Sequence, residues 1–452
     1  MERIRTRHGV GRQARRAWLV ACTTALALVA AGCASTISGV AQTVPGAAPV
    51  TSSTAQTTGS TESTGSTRTT DTTGSTETTE STGSTESTDT TESTEQTDTT
   101  SGGGGTGDYP TTPRDIPATP ASEESAALLE SRRLASVVVV PTFVDADFTQ
   151  VGSISTLPLK GPSALVVVLN DPVPEVARRG GMISGFAASR STTDSDSGMV
   201  TMVLQYGTAA QATKAVTDLT AASADKESDT GKLTVPGYDK AGGWTGKSSS
   251  GGTYSHAFAA AGEFVLYSWV DSPADAYDQP ALIAKAFDAM TASADAFTPA
   301  SGDALMKLPT DTDGLLAHTL ANTGDNATVH DGLYDSSGVL VWDTDPIGTK
   351  ELFADAGVDI VGLGRTNVYR AADDEGAAMV RDAFVEFTLG TDGGWTEFSP
   401  DASGEPKCAQ QALNSVYYCM ATSGRYAIEL SASSESDLIA ALNAQYQLLQ
   451  SI

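Results

Sequence analysis

DPIGTKELFADAGVDIVGLGRTNVYRAADDEGAAMVRDAF, Asp345 to Phe384, decides the fold, because its order of elements occurs twice in the chain. Asp-Pro opens a short helix. VDIVGLGRTNVYRAA follows as extended chain. Asp373-Asp374-Glu375 then stand where a second helix begins, since carboxylates are favourable at a helix N-terminus. Downstream come Gly393-Gly394-Trp395-Thr396, the strand pair VYYCMATSGRYAIELSA and the helix SESDLIAALNAQYQLL. The first half runs in the same order. DPVPEVARRGGMISGFAASR (Asp171 to Arg190) leads to MVTMVLQYGTAAQATKAVTDL (Met199 to Leu219) and to Gly242-Gly243-Trp244-Thr245. YSHAFAAAGEFVLYSWV and QPALIAKAFDAMTASADAF close it. A shared succession of Asp-Pro, helix, strand, helix, Gly-Gly-Trp-Thr, hairpin and helix marks a duplicated unit.

Local patterns agree. Met202, Leu204 and Tyr206 alternate with Val203 and Gln205, the period of a strand. Ala209, Ala212, Ala215, Val216 and Leu219 recur at helical spacing, as do Leu438, Ile439, Leu442, Tyr446 and Leu449. Gly262 and Gly424 supply the difficult dihedral of two hairpin turns. LASVVVV (Leu134 to Val140) and ALVVVLN (Ala164 to Asn170) read as two further strands. The expected class is α+β: two tandem repeats of ferredoxin-like flavour, each an antiparallel sheet with helices on one face. The first repeat is placed at residues 121–300 and the second at 301–452.

Outward from the repeats, residues 33–120 are rich in Thr, Ser, Glu, Gly and Pro, with no aromatic residue before Tyr109. Such a segment lacks the apolar area to offset the entropy of ordering, so it reads as a disordered tether. About 85 flexible residues span ~50 Å root-mean-square. Residues 1–32 form an arginine-rich leader followed by a short apolar run, the pattern of a signal peptide. Ala30-Ala31-Gly32-Cys33 resembles the bacterial lipobox, with Ala30 where Leu is usual. That resemblance implies acylation of Cys33 and a membrane anchor. The export route, general secretory or twin-arginine, stays open.

The formal net charge is −28 and grows more negative once the leader is removed. A chain so acidic lacks the basic face that nucleic acid demands. Of four cysteines, Cys22 lies in the leader and Cys33 takes the lipid. Cys408 and Cys419 remain, an even pair in an exported chain, and a disulfide is expected. With no third sulfur and no adjacent histidine, no metal site is expected there.

Catalytic patterns are sparse. His256 shares a strand face with Tyr254 and Phe258 and reads as a sheet histidine; His318 and His330 read as turn residues. No HExxH spacing occurs, and the repeats hold no G-x-S-x-G elbow. Gly362-Leu363-Gly364 precedes strand-like sequence, not the helix a phosphate loop requires. Asp194-Ser195-Asp196 and Asp311-Thr312-Asp313 read as solvated turns. Trp244 and Trp395, each behind a Gly-Gly pair, together with Arg190 and Arg365 at near-equivalent points, are the candidates for a ligand groove between the repeats.

Lipobox, Thr-rich tether and duplicated Gly-Gly-Trp-Thr unit together resemble an uncharacterised family of actinobacterial, mycobacterial-type cell-envelope lipoproteins bearing a domain of unknown function. The resemblance implies a lipid-anchored, extracytoplasmic protein and carries over no functional residue beyond Cys33. The expected function is a non-enzymatic binding head for a lipid, glycan or protein ligand of the envelope, without a cofactor. The alternatives are an envelope-acting hydrolase without a recognisable motif and a purely structural envelope component.

Overall fold

The computed structural model describes residues 105–151, 156–224, 231–248, 251–411 and 413–452. The expected signal peptide, Cys33 and the tether up to residue 104 lie outside the described residues. The first unit runs α1 (Glu123–Arg133), α2 (Pro141–Val144), β1 (Gln150–Val151), β2 (Leu157–Leu159), α3 (Val173–Gly180), β3 (Met182–Ser191), β4 (Gly198–Tyr206) and α4 (Ala209–Ser223). It continues with β5 (Gly231–Lys232), β6 (Gly242–Lys247), β7 (Thr253–Ala261), β8 (Phe264–Ser272) and α5 (Gln279–Ala296). The second unit runs β9 (Gly332–Asp335), α6 (Pro346–Ala356), β10 (Ile360–Leu363), β11 (Asn367–Arg370) and α7 (Asp374–Gly390). Then come β12 (Thr396–Phe398), β13 (Lys407–Gln411), β14 (Val416–Ser423), β15 (Tyr426–Ala432) and α8 (Glu435–Leu449).

The duplication extends to the hydrogen bonds. The first sheet is ordered β1-β3-β4-β8-β7-β6-β5, with β2 also on β3; the second is β12-β13-β14-β15-β11-β10-β9. Within them β3-β4-β8-β7-β6 and β10-β11-β15-β14-β13 are the same succession. Every pairing is antiparallel. The α+β class and the tandem antiparallel sheets are therefore as expected. The equivalent pairs β3–β4 and β10–β11 are antiparallel neighbours consecutive in sequence, unlike the split βαβ of a ferredoxin-like fold.

Helices cover both faces of each sheet, not one. Along β8, Val265 and Tyr267 face α4 in one apolar cluster, whereas Phe264, Leu266 and Val270 face α5 in another. Along β14, Cys419 and Ala421 face α8 while Tyr418 and Met420 face α7. Alternation thus feeds two cores per sheet. The cluster on the α5 side does not end at the unit boundary. It takes in Phe186, Ala188 and Phe287 from the first unit with Val339, Val341, Phe353 and Phe384 from the second.

Three local expectations change. The Val-rich stretches are not strands: Leu134–Ser136 and Pro162–Val167 are 3-10 turns, and Pro141 begins α2. Val137, Val138 and Val140 are buried in the shared cluster without a ladder. A short apolar run reports burial, and its period cannot tell strand from turn. The two Gly-Gly-Trp-Thr stretches occupy different strands. Trp244 lies on β6, opposite His256. Trp395 precedes β12, one strand farther out, and β13 fills the place of β6. Finally, the chain docks before residue 120. The Tyr109 hydroxyl donates to Asp437 Oδ1 at 2.7 Å, and Arg114 Nη2 donates to the Leu316 carbonyl at 2.6 Å. Residues 105–120 therefore form a strap over the second unit.

Cys408 and Cys419 are directly opposed on β13 and β14 and are bonded, as expected, 11 residues apart in sequence. In the chain-entropy account a loop of that size stabilises by about 3 kcal/mol. The Cys408→Ala/Cys419→Ala double variant should lower unfolding free energy by roughly that amount in urea titrations. A loss under about 0.5 kcal/mol would show that the staple does not constrain the unfolded chain.

Candidate functional site

The four groove candidates do not converge. Trp244 is 6% exposed, stacks on His256 at 4.5 Å between ring centroids, and donates through Nε1 to Ser223 Oγ at 3.1 Å. Trp395 packs edge-on to Tyr418 at 6.5 Å. Arg365 donates to Asp437 Oδ2 at 2.8 Å and to the Tyr109 hydroxyl at 3.2 Å, which anchors the strap. Arg190 points the other way, into the junction of the units. His256 and His318 are hydrogen-bonded, while the buried Nδ1 of His330 has no partner among the described residues. His256 Nδ1 meets the Tyr267 hydroxyl at 2.7 Å, and burial lowers its pKa to about 3. His318 Nδ1 lies 2.7 Å from the Gly314 carbonyl. His330 lies edge-on to Trp342 at 4.4 Å.

Arg190 is 1% exposed and is the penultimate residue of β3. Its guanidinium donates to the Ser189 carbonyl at 3.1 Å and, across the junction, to the carbonyls of Val341 at 2.9 Å and Asp343 at 2.8 Å. Burial lowers its pKa only to about 10, so it remains charged. Phe186, on the same face of β3, meets Trp342 edge-on at 5.9 Å. β3 thereby fixes the backbone of Val341 to Asp343, immediately before α6.

Asp343, the last of these residues, lines a pocket of about 200 Å³ between α6 and α7. Leu352, Ala383, Phe384 and Phe387 line its apolar side, and Asp343, Asp345 and Thr349 its polar end; no Lys or Arg lines it. Asp345 is committed as the cap of α6, accepting from the Gly348 N–H at 3.1 Å. Asp343 is 7% exposed, and its Oδ1 accepts from the Asp345 N–H at 2.7 Å. Burial raises its pKa to about 6; the Asp345 N–H and the Thr349 hydroxyl oppose that, the Asp345 charge adds to it, and Arg190 opposes it least. Among the described residues Asp343 has no ion pair. A second buried carboxylate, Glu429 on β15, is 2% exposed. It accepts from Asn367 Nδ2 at 2.9 Å, the Tyr369 hydroxyl at 2.5 Å and the Tyr418 hydroxyl at 3.0 Å. Burial raises its pKa too.

The first unit has the corresponding groove, between α3 and α4. It is wider, about 770 Å³, and Arg179, Lys214 and Asp218 line it. Counting back from the shared Asp-Pro, the residue in the place of Asp343 is Leu169, 4% exposed in an apolar cluster. Sequence reading used the Asp-Pro landmark without comparing the residues in front of it. VWDTDP against VLNDP carried the signal.

Two profiles of one family match the chain: domain of unknown function (DUF7373) N-terminal over residues 117–310, and domain of unknown function (DUF7373) C-terminal over residues 315–451. Among solved structures, the crystal structure of the extracellular domain of PknH from Mycobacterium tuberculosis is similar at 13% identity and a TM-score of 0.26. The match covers 39% of this chain and 100% of that one. No curated protein matches.

The Asp343 carboxyl yields a pH prediction. Its folded pKa of about 6 lies above the unfolded value, so the folded state holds its proton more tightly. Its stabilising contribution is complete below pH ~4 and is lost as pH rises through 6, amounting to about 2–3 kcal/mol. Asp343→Asn, which keeps the shape without the charge, should unfold at higher urea than the parent at pH 7.5. The gap should close at pH 4. An unchanging gap across that range would contradict the assignment.

Proposed function

The chain belongs to the DUF7373 family, whose N-terminal and C-terminal domains it carries in succession, and on that footing we propose that it is a non-enzymatic binding protein of the cell envelope. In this reading it is exported, anchored through lipid on Cys33, and held off the membrane by the Thr/Ser-rich tether. The α6–α7 pocket is its ligand seat. The observation that carries the reading is that pocket: an apolar recess with a small polar end, the usual make-up of a small-molecule site. The Cys408–Cys419 disulfide favours an oxidising compartment. Binding is favoured over hydrolysis because the polar end holds no poised pair. Asp345 is spent on the helix cap, His256 and His318 are hydrogen-bonded elsewhere, and His330 does not line the pocket.

Native mass spectrometry of the protein purified from its own host tests this. The expected spectrum shows acyl mass on residue 33 and a co-purified small molecule. Ala383→Trp, which fills the pocket from α7, should abolish the adduct and leave the acyl mass in place. An adduct that survives the plug would place the ligand elsewhere. A mature chain starting at another residue without acyl mass would remove the anchor.

A further inference from the structure

We propose that the α6–α7 pocket recognises a small organic cation: an ammonium carried on a short alkyl or aromatic group, with Asp343 as its counter-ion. This rests on the pocket being the ligand seat and adds the chemical class of what enters.

A buried carboxylate is costly unless a cation or several donors compensate it. Glu429 is compensated three times over, by Asn367, Tyr369 and Tyr418. Asp343 receives one backbone N–H and the Thr349 hydroxyl, and borders open space. Arg190 donates from Nη1 and Nη2 to carbonyls, including that of Asp343 itself, and no bond joins it to the carboxylate. In the first unit the residue two before Asp-Pro is Leu169, buried among apolar side chains. The two turns differ: the Asp345 side chain caps α6, whereas α3 starts behind Pro172 with no side-chain cap.

The remaining walls set the rest of the ligand. Phe384 and Phe387 line the apolar side and offer ring faces of the kind that attract an ammonium. With Asp345 beside Asp343 and no base in the lining, a carboxylate or phosphate would meet repulsion. An apolar cavity of about 150 Å³ holds a benzene-sized guest. The present volume of about 200 Å³ therefore suits a group of that scale with a charged head. The strongly acidic chain draws cations toward its surface.

Calorimetric titration of the full chain at pH 7.5 with hexylamine, hexan-1-ol and hexanoate discriminates the possibilities, because the three share a tail and differ in charge. The expected order is hexylamine tightest, hexan-1-ol weaker by at least about tenfold, and hexanoate weaker still. Asp343→Asn should bring the amine-to-alcohol ratio close to one. Equal binding of amine and alcohol, or tightest binding of hexanoate, would overturn the cation assignment and leave the pocket as a seat. No heat from any of the three would count against both the class and the seat. The comparison on the unmodified chain decides the matter even if the variant folds poorly.

Discussion

The guanidinium of Arg190 ties the two halves together. An ion 1% exposed is costly unless its donors are met, and Arg190 meets those of Nη1 and Nη2 while its buried Nε has no partner among the described residues. Two of the carbonyls that meet it, Val341 and Asp343, belong to the other unit. The inner face of β3 therefore cannot reach its satisfied state without the segment that leads into α6. Around this polar contact the apolar cluster is continuous, from Phe186 and Ala188 through Val339 and Val341 to Phe384. The units repeat in topology, yet they share a core and form halves of one packing problem. The Asp343 end of the α6–α7 pocket inherits its rigidity from that joint.

The equivalent helices of the two copies are used differently. α4 closes a cluster made of first-unit residues alone, with Val216 and Leu219 against Phe258 and Tyr267. α7, its counterpart, turns Val380 and Phe384 into the cluster shared by both units. One topology is therefore packed with different sides toward its neighbour, which is a heterologous arrangement, not a twofold one. The α3–α4 groove faces outward and is wide, whereas the α6–α7 pocket is smaller by several hundred Å³. Packing asymmetry alone makes one copy of the groove a pocket.

What could be read from the sequence was what local physics fixes. Alternation along Met202 to Tyr206, the stripe of α8, the Asp373 cap of α7 and the Gly424 turn are each set by neighbours within a few residues. What could not be read depends on distant partners. The Val-rich turns owe their burial to the other unit. Eight residues between β12 and β13 displace Trp395 by a strand relative to Trp244. Arg190 and Arg365 look alike in sequence; one meets carbonyls across the junction, and the other meets Tyr109 and Asp437. The strap's docking at Tyr109 falls in sequence whose composition reads as disordered. No composition-based reading anticipates an aromatic residue finding a helix N-terminus more than 300 residues away.

An internal duplication also works as an experiment already performed on the fold. Each pair of equivalent positions shows what the same backbone accepts in two surroundings. Where both copies hold the same residue type, as with the Gly-initiated hairpin turns at Gly262 and Gly424, backbone geometry is reason enough. Where they differ in a costly direction, backbone geometry is not. Leu169 gains by burial; Asp343 loses by it, and a neutral residue at that place would make the joint more stable at neutral pH. At Glu429, on β15, three donors oppose the same penalty, although burial still raises its pKa. The penalty at Asp343 is left standing where it borders the α6–α7 pocket. Strain retained at an opening is the physical mark of a group positioned for something other than folding.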